Sequence, residues 1–386
     1  MGLSPLALSR ELLSLFIATV AINLAANIIG PFFPLYFQSL GAPVVVVGLL
    51  VSMVNLVQAV LRIPGGLIAD RFGGKWVIVT SLAVSMLPPI AFLFITHWQQ
   101  SITWVLIYGI PFSLFLPVWN VTIANYSEAH HRARVFGLMN MAWPIGTIIG
   151  PVIGGLLAES LGWYAVMYSL IITYVLGLVP VLLISPRRRR FEEMPFKIDR
   201  STIKPLAFFS LFQFLASVGF GVINTILSIY ISGVLGTTKE IVGIFWALCF
   251  GVTFLLTQIP GGRLAERLSP RRVLALGVVA APFLSAAMPL TRNLIIFLAL
   301  NAALNTLWNL SIPAGNVLFL DFLPENGRGF YTGVMQATVM IAWTIGPSIG
   351  TLLYDRYGPA SPFYATAIFF TLATLSIGQI RARSLT

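Results

Sequence analysis

Apolar residues along this chain fall into long unbroken runs separated by short polar segments. Twelve such runs can be marked: 12–37, 43–69, 76–96, 102–125, 135–158, 163–184, 205–235, 240–264, 273–290, 294–319, 330–354 and 360–380. A helix that crosses the hydrocarbon core of a bilayer needs about 20 mostly apolar residues. Each run is therefore predicted to be one transmembrane helix, and the fold class is all-α integral membrane. The first run follows Ser9-Arg10-Glu11 and reaches about Phe37. It is too long for a signal-peptide core and lacks an A-x-A-like cleavage site, so it is read as a retained helix.

Composition narrows the picture. Of 386 residues, 58% are apolar and only 9% charged, whereas a soluble domain carries about 25% charged residues. No water-facing surface can be built from such a chain, which excludes an ordinary cytosolic enzyme, a coiled coil and a disordered protein. One cysteine, Cys249, allows no internal disulfide. Three histidines without an HExxH or CxxC pattern leave no metal site, and no cofactor is expected. No nucleophile–base pair and no phosphate-binding glycine loop point to an enzyme.

The net charge of +11 would raise the question of nucleic acid in a soluble protein. Here the positive residues sit in short loops, so the bilayer is the partner and no nucleic acid is expected. One alternating set of loops holds Arg10, Arg71, Lys75, Arg132, Arg134, Arg187 to Arg190, Lys197, Arg200, Lys204, Arg263, Arg267, Arg271, Arg272, Arg328, Arg381 and Arg383. The opposite set holds only Lys239, Arg292 and Arg356. The imbalance places both termini and the 185–204 loop in the cytoplasm of a cell inner or plasma membrane.

The chain also repeats itself. RIPGGLIADRFGGKWV (62–77) aligns without gaps to QIPGGRLAERLSPRRV (258–273), an offset of 196. The same offset pairs Pro117 with Pro313, Asn120 with Asn316, Arg132 with Arg328, Gly150 with Gly346, Pro151 with Pro347, Gly154 with Gly350 and Gly162 with Gly358. The chain thus divides into an N-terminal six-helix bundle (1–184), a basic linker (185–204) and a C-terminal six-helix bundle (205–386). Parallel six-helix halves are a known transporter plan.

GLIADRFGGK (66–75) resembles the signature loop between helices 2 and 3 of the major facilitator superfamily, G-x-x-x-D-R-x-G-R-K/R. Gly66, Asp70, Arg71, Gly73 and Lys75 match, and Gly74 departs where Arg is usual. Gly262, Glu266, Arg267 and Arg271 form a degenerate second copy. GTIIGPVIGG (146–155) is similar to the G-x-x-x-G-P-x-x-G-G motif of the drug:proton antiporters in that superfamily. The resemblance implies the major facilitator fold, with twelve helices in two parallel repeats. It also implies a small-molecule substrate, alternating access, a monomer and coupling to protons.

Candidate residues follow in three groups. Asp70 lies at a helix C-terminus, where its own helix dipole disfavours it and a neighbouring helix N-terminus would stabilise it. The resemblance suggests helix 11, near Arg328 to Thr332, as that neighbour. A contact made in one conformation biases the equilibrium between two, so Asp70, Arg71, Lys75, Glu266 and Arg267 are gate candidates. In helix 5, Gly146, Gly150, Gly154 and Gly155 make a small-residue face for close helix approach, and Pro151 permits a kink. For the substrate, Asn23 and Asn27 (helix 1), Trp119 and Asn120 (helix 4), Asn224 (helix 7), and Asn305, Trp308 and Asn309 (helix 10) are cavity candidates. The bland alternative for each Asn is an interhelical hydrogen bond.

Arg62 is the one ionisable residue well inside a span and is a coupling candidate. It shares a face with Asn55 and Gln58, which is either a cavity wall or a polar contact against helix 11. No Asp or Glu lies mid-span in helices 1, 4, 7 or 10, so coupling to protons rests on resemblance alone. The favoured reading is an exporter of small apolar or amphipathic organic compounds. A transporter of sugars or other neutral hydroxylated metabolites, a lipid flippase and a non-transporting receptor of the same fold are the alternatives.

Overall fold

The computed structural model describes residues 9–72, 74–127, 132–184, 200–323 and 328–378, with the side chains of 63–72, 116–117, 120–121, 124–125, 132–134, 200–202, 204–205, 322 and 328–330 excepted. Every described element is helical. In chain order the α-helices are α1 (Arg10–Ile29), α2 (Phe33–Ser39), α3 (Val44–Phe72), α4 (Gly74–Ser85), α5 (Leu87–Phe92), α6 (Ile102–Tyr126), α7 (Arg132–Asn140), α8 (Ala142–Ser160) and α9 (Gly162–Leu182). They continue as α10 (Arg200–Gly233), α11 (Lys239–Trp246), α12 (Thr253–Arg267), α13 (Pro270–Val279), α14 (Ala281–Ala287), α15 (Leu294–Phe322), α16 (Arg328–Tyr357) and α17 (Ser361–Gly378).

Prolines explain most of the interruptions inside spans. Pro31 has no N–H to offer the carbonyl four residues back, and a short 3₁₀ turn, Gly30–Phe32, joins α1 to α2. Pro88 and Pro282 stand in the first turns of α5 and α14, where a missing donor costs least. Between α11 and α12 the chain makes a π-helical turn, Ala247–Val252. Joined across these breaks, ten spans are long and apolar enough to cross a membrane. The apolar helices α6 and α17 bring the total to twelve among the described residues.

Side-chain caps fix several helix starts. Ser9 accepts from the Leu12 N–H, Thr238 from Ile241, and Asn293 from Ile295 and Ile296. Gly162 and Gly358, equivalent by the 196-residue offset, both take positive φ (77° and 88°) in the tight turns before α9 and α17. A side chain at either position would be strained.

The helices assemble into two compact units. One comprises Met1–Gly30 with Val57–Glu192; the other comprises Pro31–Leu56 with Glu193–Thr386. The first is built on α1 packed against α8 and α9, with α4 against α6. In the second, α10 packs against α16 and α17, and α15 against α12 and α13. The division cuts α1 from α2 at the Gly30–Pro31 break and divides α3 after Leu56, so α2 and the first half of α3 pack with the second unit.

Candidate substrate cavity and gates

In the first unit the helix-5 glycines of α8 lie against α1. A β-carbon at Gly146 would come within 2.7 Å of the Asn23 main-chain carbon, and one at Gly150 within 2.7 Å of the Asn27 β-carbon. Nothing larger than glycine fits either position without moving a backbone. Pro151, Gly154 and Gly155 are buried in the same helix. Gly346 of α16 repeats the arrangement, with its β-carbon position 2.7 Å from the Gly221 Cα of α10.

The α1 amides turn back on their own helix. Asn23 Nδ2 donates to the Thr19 carbonyl at 3.1 Å and Asn27 Nδ2 to the Asn23 carbonyl at 2.8 Å. Asn23 is only 3% exposed, while Asn27 is half-buried. Trp119, 4% exposed, donates its indole N–H to Thr19 Oγ1 at 2.9 Å. The Thr19 hydroxyl in turn donates to the Leu15 carbonyl at 2.7 Å. With its ring thus fixed, Trp119 stands edge-on to Trp143 (6.0 Å between centroids), and Trp143 edge-on to Phe112 (6.1 Å). Trp143 and Phe112 are both half-buried. Asn120 belongs to α6, but its side chain lies outside the described residues.

In the second unit three of the four amides of α15, Asn301, Asn305 and Asn309, are buried, and Asn316 is exposed. Asn305 Nδ2 donates to both the carbonyl and the side-chain oxygen of Asn301 at 2.9 Å. Asn309 Nδ2 reaches Thr253 Oγ1 of α12 at 3.4 Å, and Asn301 Nδ2 lies 3.9 Å from Met288 Sδ. Asn305 and Asn309 are 4% and 7% exposed. Trp308, between them in sequence, points along a different face and is half-buried. It meets Phe220 edge-on at 4.9 Å and lies 6.3 Å from Phe212. Asn224 on α10 is half-buried as well. At the π-helical turn, Trp246 stacks on Phe250 at 4.3 Å and donates its indole N–H to Ser228 Oγ at 3.0 Å.

The segment Pro31–Leu56 contributes a polar seam to this unit. Ser228 donates to the Pro31 carbonyl. Along α3 and α16, the Ser52 and Ser348 hydroxyls are 2.8 Å apart, and Asn55 Nδ2 donates to the Trp343 carbonyl at 2.7 Å. Gly48 sits where a β-carbon would strike Thr351 and approach the Pro347 carbonyl to 2.7 Å. Asn55 is thus a contact to helix 11, one of the two roles open to it from sequence. Arg62, two turns further along α3, is half-buried.

The gate candidates are less fully described. Asp70 and Arg71 occupy the last turn of α3, and their side chains lie outside the described residues, as does that of Arg328 at the start of α16. Lys75 donates to the Leu182 carbonyl at 2.7 Å, closing the C-terminal end of α9, and lies 5.4 Å from the Trp76 ring centroid. Glu266 and Arg267 are exposed at the end of α12. Sequence reasoning did not single out Thr19, Gly48, Ser52, Ser348 or Thr351. The four-residue spacing of Gly48 and Ser52 was the one signal available for the α3–α16 seam.

Known proteins bear on this arrangement in two ways. The chain is 27% identical over 388 residues to the multidrug resistance protein MdtG of Enterobacter lignolyticus, covering 95% of this chain and 90% of the relative. It is 26% identical over 403 residues to MdtG of Escherichia coli O17:K52:H18 (98% and 97% covered). It is 21% identical to the uncharacterised MFS-type transporter YhjO of Bacillus subtilis (94% and 91%). Among solved structures, a bacterial homologue of the human lysosomal transporter Spinster superposes with a TM-score of 0.77 at 16% identity, covering 98% of this chain and 97% of that one. A D-xylose–proton symporter gives 0.77 at 14% identity, covering 96% and 97%. The sequence model of the Major Facilitator Superfamily matches residues 15–207 and 209–381, one match on each six-helix repeat. Its signature loop, its paired repeats and its twelve helices have one source: this chain belongs to the Major Facilitator Superfamily and resembles the drug:proton antiporter branch.

Proposed function

We propose that this transporter exports small apolar or amphipathic organic compounds by alternating access of its two halves, 1–184 and 205–386, joined by the 185–204 linker. The observation that carries the substrate class is the division of labour between amides and aromatics. Asn23, Asn305 and Asn309 are buried, with their N–H donors bonded inside their own units. The aromatics Trp308, Trp143 and Phe112 are only half-buried, each with part of its surface uncovered. A sugar needs polar partners held free for its hydroxyls, whereas an apolar ring needs aromatic surface. Asn27, Asn224 and Trp308, all half-buried, remain the substrate-contacting candidates. Trp119 and Asn309 bridge to neighbouring helices, and Asn23 and Asn305 are buried with their amides bonded to their own helices. The names of the MdtG relatives, as multidrug resistance proteins, agree with this reading.

The gate role falls to Asp70 and Arg71 with their repeat counterparts Glu266 and Arg267, and Arg62 is the coupling candidate. Asp70, Glu266 and Asp321 sit at the loop ends of α3, α12 and α15, and Glu128 lies outside the described residues. Export against protons therefore rests on the drug:proton antiporter motif. The loop charges set both termini in the cytoplasm of the inner membrane.

Two substitutions separate substrate contact from packing. An edge-to-face aromatic contact is worth about 0.5–1.5 kcal/mol, so Trp308→Ala should weaken aromatic substrates by roughly two- to tenfold relative to non-aromatic ones. Asn309→Ala removes an interhelical bond worth about 0.6 kcal/mol and should lower the melting temperature while leaving the ratio of rates between substrates unchanged. Transport rates for several compounds, measured beside melting temperatures in detergent, check both. Altered selectivity in Asn309→Ala with none in Trp308→Ala would return the site to the amides and favour a hydroxylated substrate.

A further inference from the structure

We propose that the loop joining α12 to α13, with the outward faces of both helices, forms a binding site for an anionic phospholipid. Both helices are pinned to α15 through glycine. A β-carbon at Gly261 would come 2.7 Å from the Leu310 carbonyl, and one at Gly277 2.7 Å from the Leu307 carbonyl. The small buried cluster Ala265, Val273 and Ala314 fixes the loop end of the hairpin against the same helix. These contacts settle which way the opposite faces point.

On α12, Leu256, Ile259, Arg263 and Arg267 recur at three- and four-residue spacing, and so share one side of the helix. Leu256 and Ile259 are 66% and 68% exposed, and both arginines are exposed. On α13, Arg272, Leu276 and Val279 do the same, with Leu276 at 60%. Gly261 and Gly277 stand on the far sides. Each helix therefore presents an apolar stripe to lipid tails, and each stripe ends in arginine at the shared loop. Between residues 259 and 279 the chain carries four arginines against one carboxylate, Glu266. Two acyl-facing stripes meeting at a cationic rim match a lipid with a negative headgroup. Basic clusters at the membrane interface between transmembrane helices attract anionic headgroups, at about 1 kcal/mol per Lys or Arg.

The full chain in detergent, supplied with phosphatidylglycerol or with phosphatidylcholine of the same acyl chains, tests this by native mass spectrometry. The parent should retain phosphatidylglycerol in preference. Arg263→Gln/Arg267→Gln/Arg272→Gln should weaken its retention by about fivefold per arginine, on the order of a hundredfold in all. The same three positions changed to Lys should keep most of it. Ile259→Ser/Leu276→Ser, which leaves every charge in place, should also weaken lipid retention. Equal melting temperatures in phosphatidylcholine confirm that a variant is folded, and the serine pair decides the matter if the glutamine variant is not. The proposal fails if the glutamine variant retains phosphatidylglycerol like the parent. It also fails if the serine pair has no effect, or if glycerol phosphate displaces the lipid at equal concentration, which would mark a site for a free anion.

Discussion

Cysteines placed at Ser52 and Ser348 should form a disulfide on oxidation and reduce transport to background, with full recovery on reduction. The two hydroxyls are 2.8 Å apart, which brings their β-carbons close to the separation of about 3.5–4.5 Å that a disulfide requires. The native chain has a single cysteine, Cys249, and it is buried, so no competing bridge is available. The expected effect is large because alternating access requires any contact that closes one side to be broken once per cycle. The α3–α16 seam has the character of such a contact, being short, polar and held by two hydrogen bonds and one glycine. Either cysteine alone should transport like the parent. A cross-linked protein that still transports would show that α3 and α16 stay together throughout the cycle.

Gly150→Leu should abolish transport and lower the melting temperature. The first side-chain carbon already lies within 2.7 Å of the Asn27 β-carbon and 2.9 Å of the Leu24 carbonyl. Helices α1 and α8 must separate to admit it. Overpacking of this kind costs about 1–3 kcal/mol, and here the displaced helix also carries Asn27. Ile149, one residue earlier, is 45% exposed, so Ile149→Phe should be tolerated by both measures. Equal tolerance at the two positions would remove α8 from any role in closing the first unit.

The twelve spans and their pairing by repeat were legible because each depends on one strong signal, apolar run length or a constant offset. The helix-5 glycines announced a close approach, but not that α1 makes it. The helix-10 amides show what sequence could not reach. Their spacing placed Asn305 and Asn309 on one side of α15, yet not which side that was. A soluble helix reveals its buried face by contrast with its polar one, whereas a membrane span is apolar all round. The rotation of α15 is set by Gly261 and Gly277 packing onto Leu310 and Leu307, contacts between residues far apart in sequence. With that rotation fixed, the amides face Thr253 and Met288, and Trp308 faces Phe220. Asn55 shows the same limit, since its two readings from sequence differed only in what lay opposite helix 2.

Outward movement of apolar organic compounds can be measured with the purified chain in proteoliposomes. A labelled aromatic compound and a labelled hexose should be offered side by side, with and without an imposed pH gradient. The aromatic compound should move, faster against an opposing proton flux, and the hexose should not. Hexose transport with the aromatic compound excluded, or binding of either without movement, would contradict export of apolar compounds.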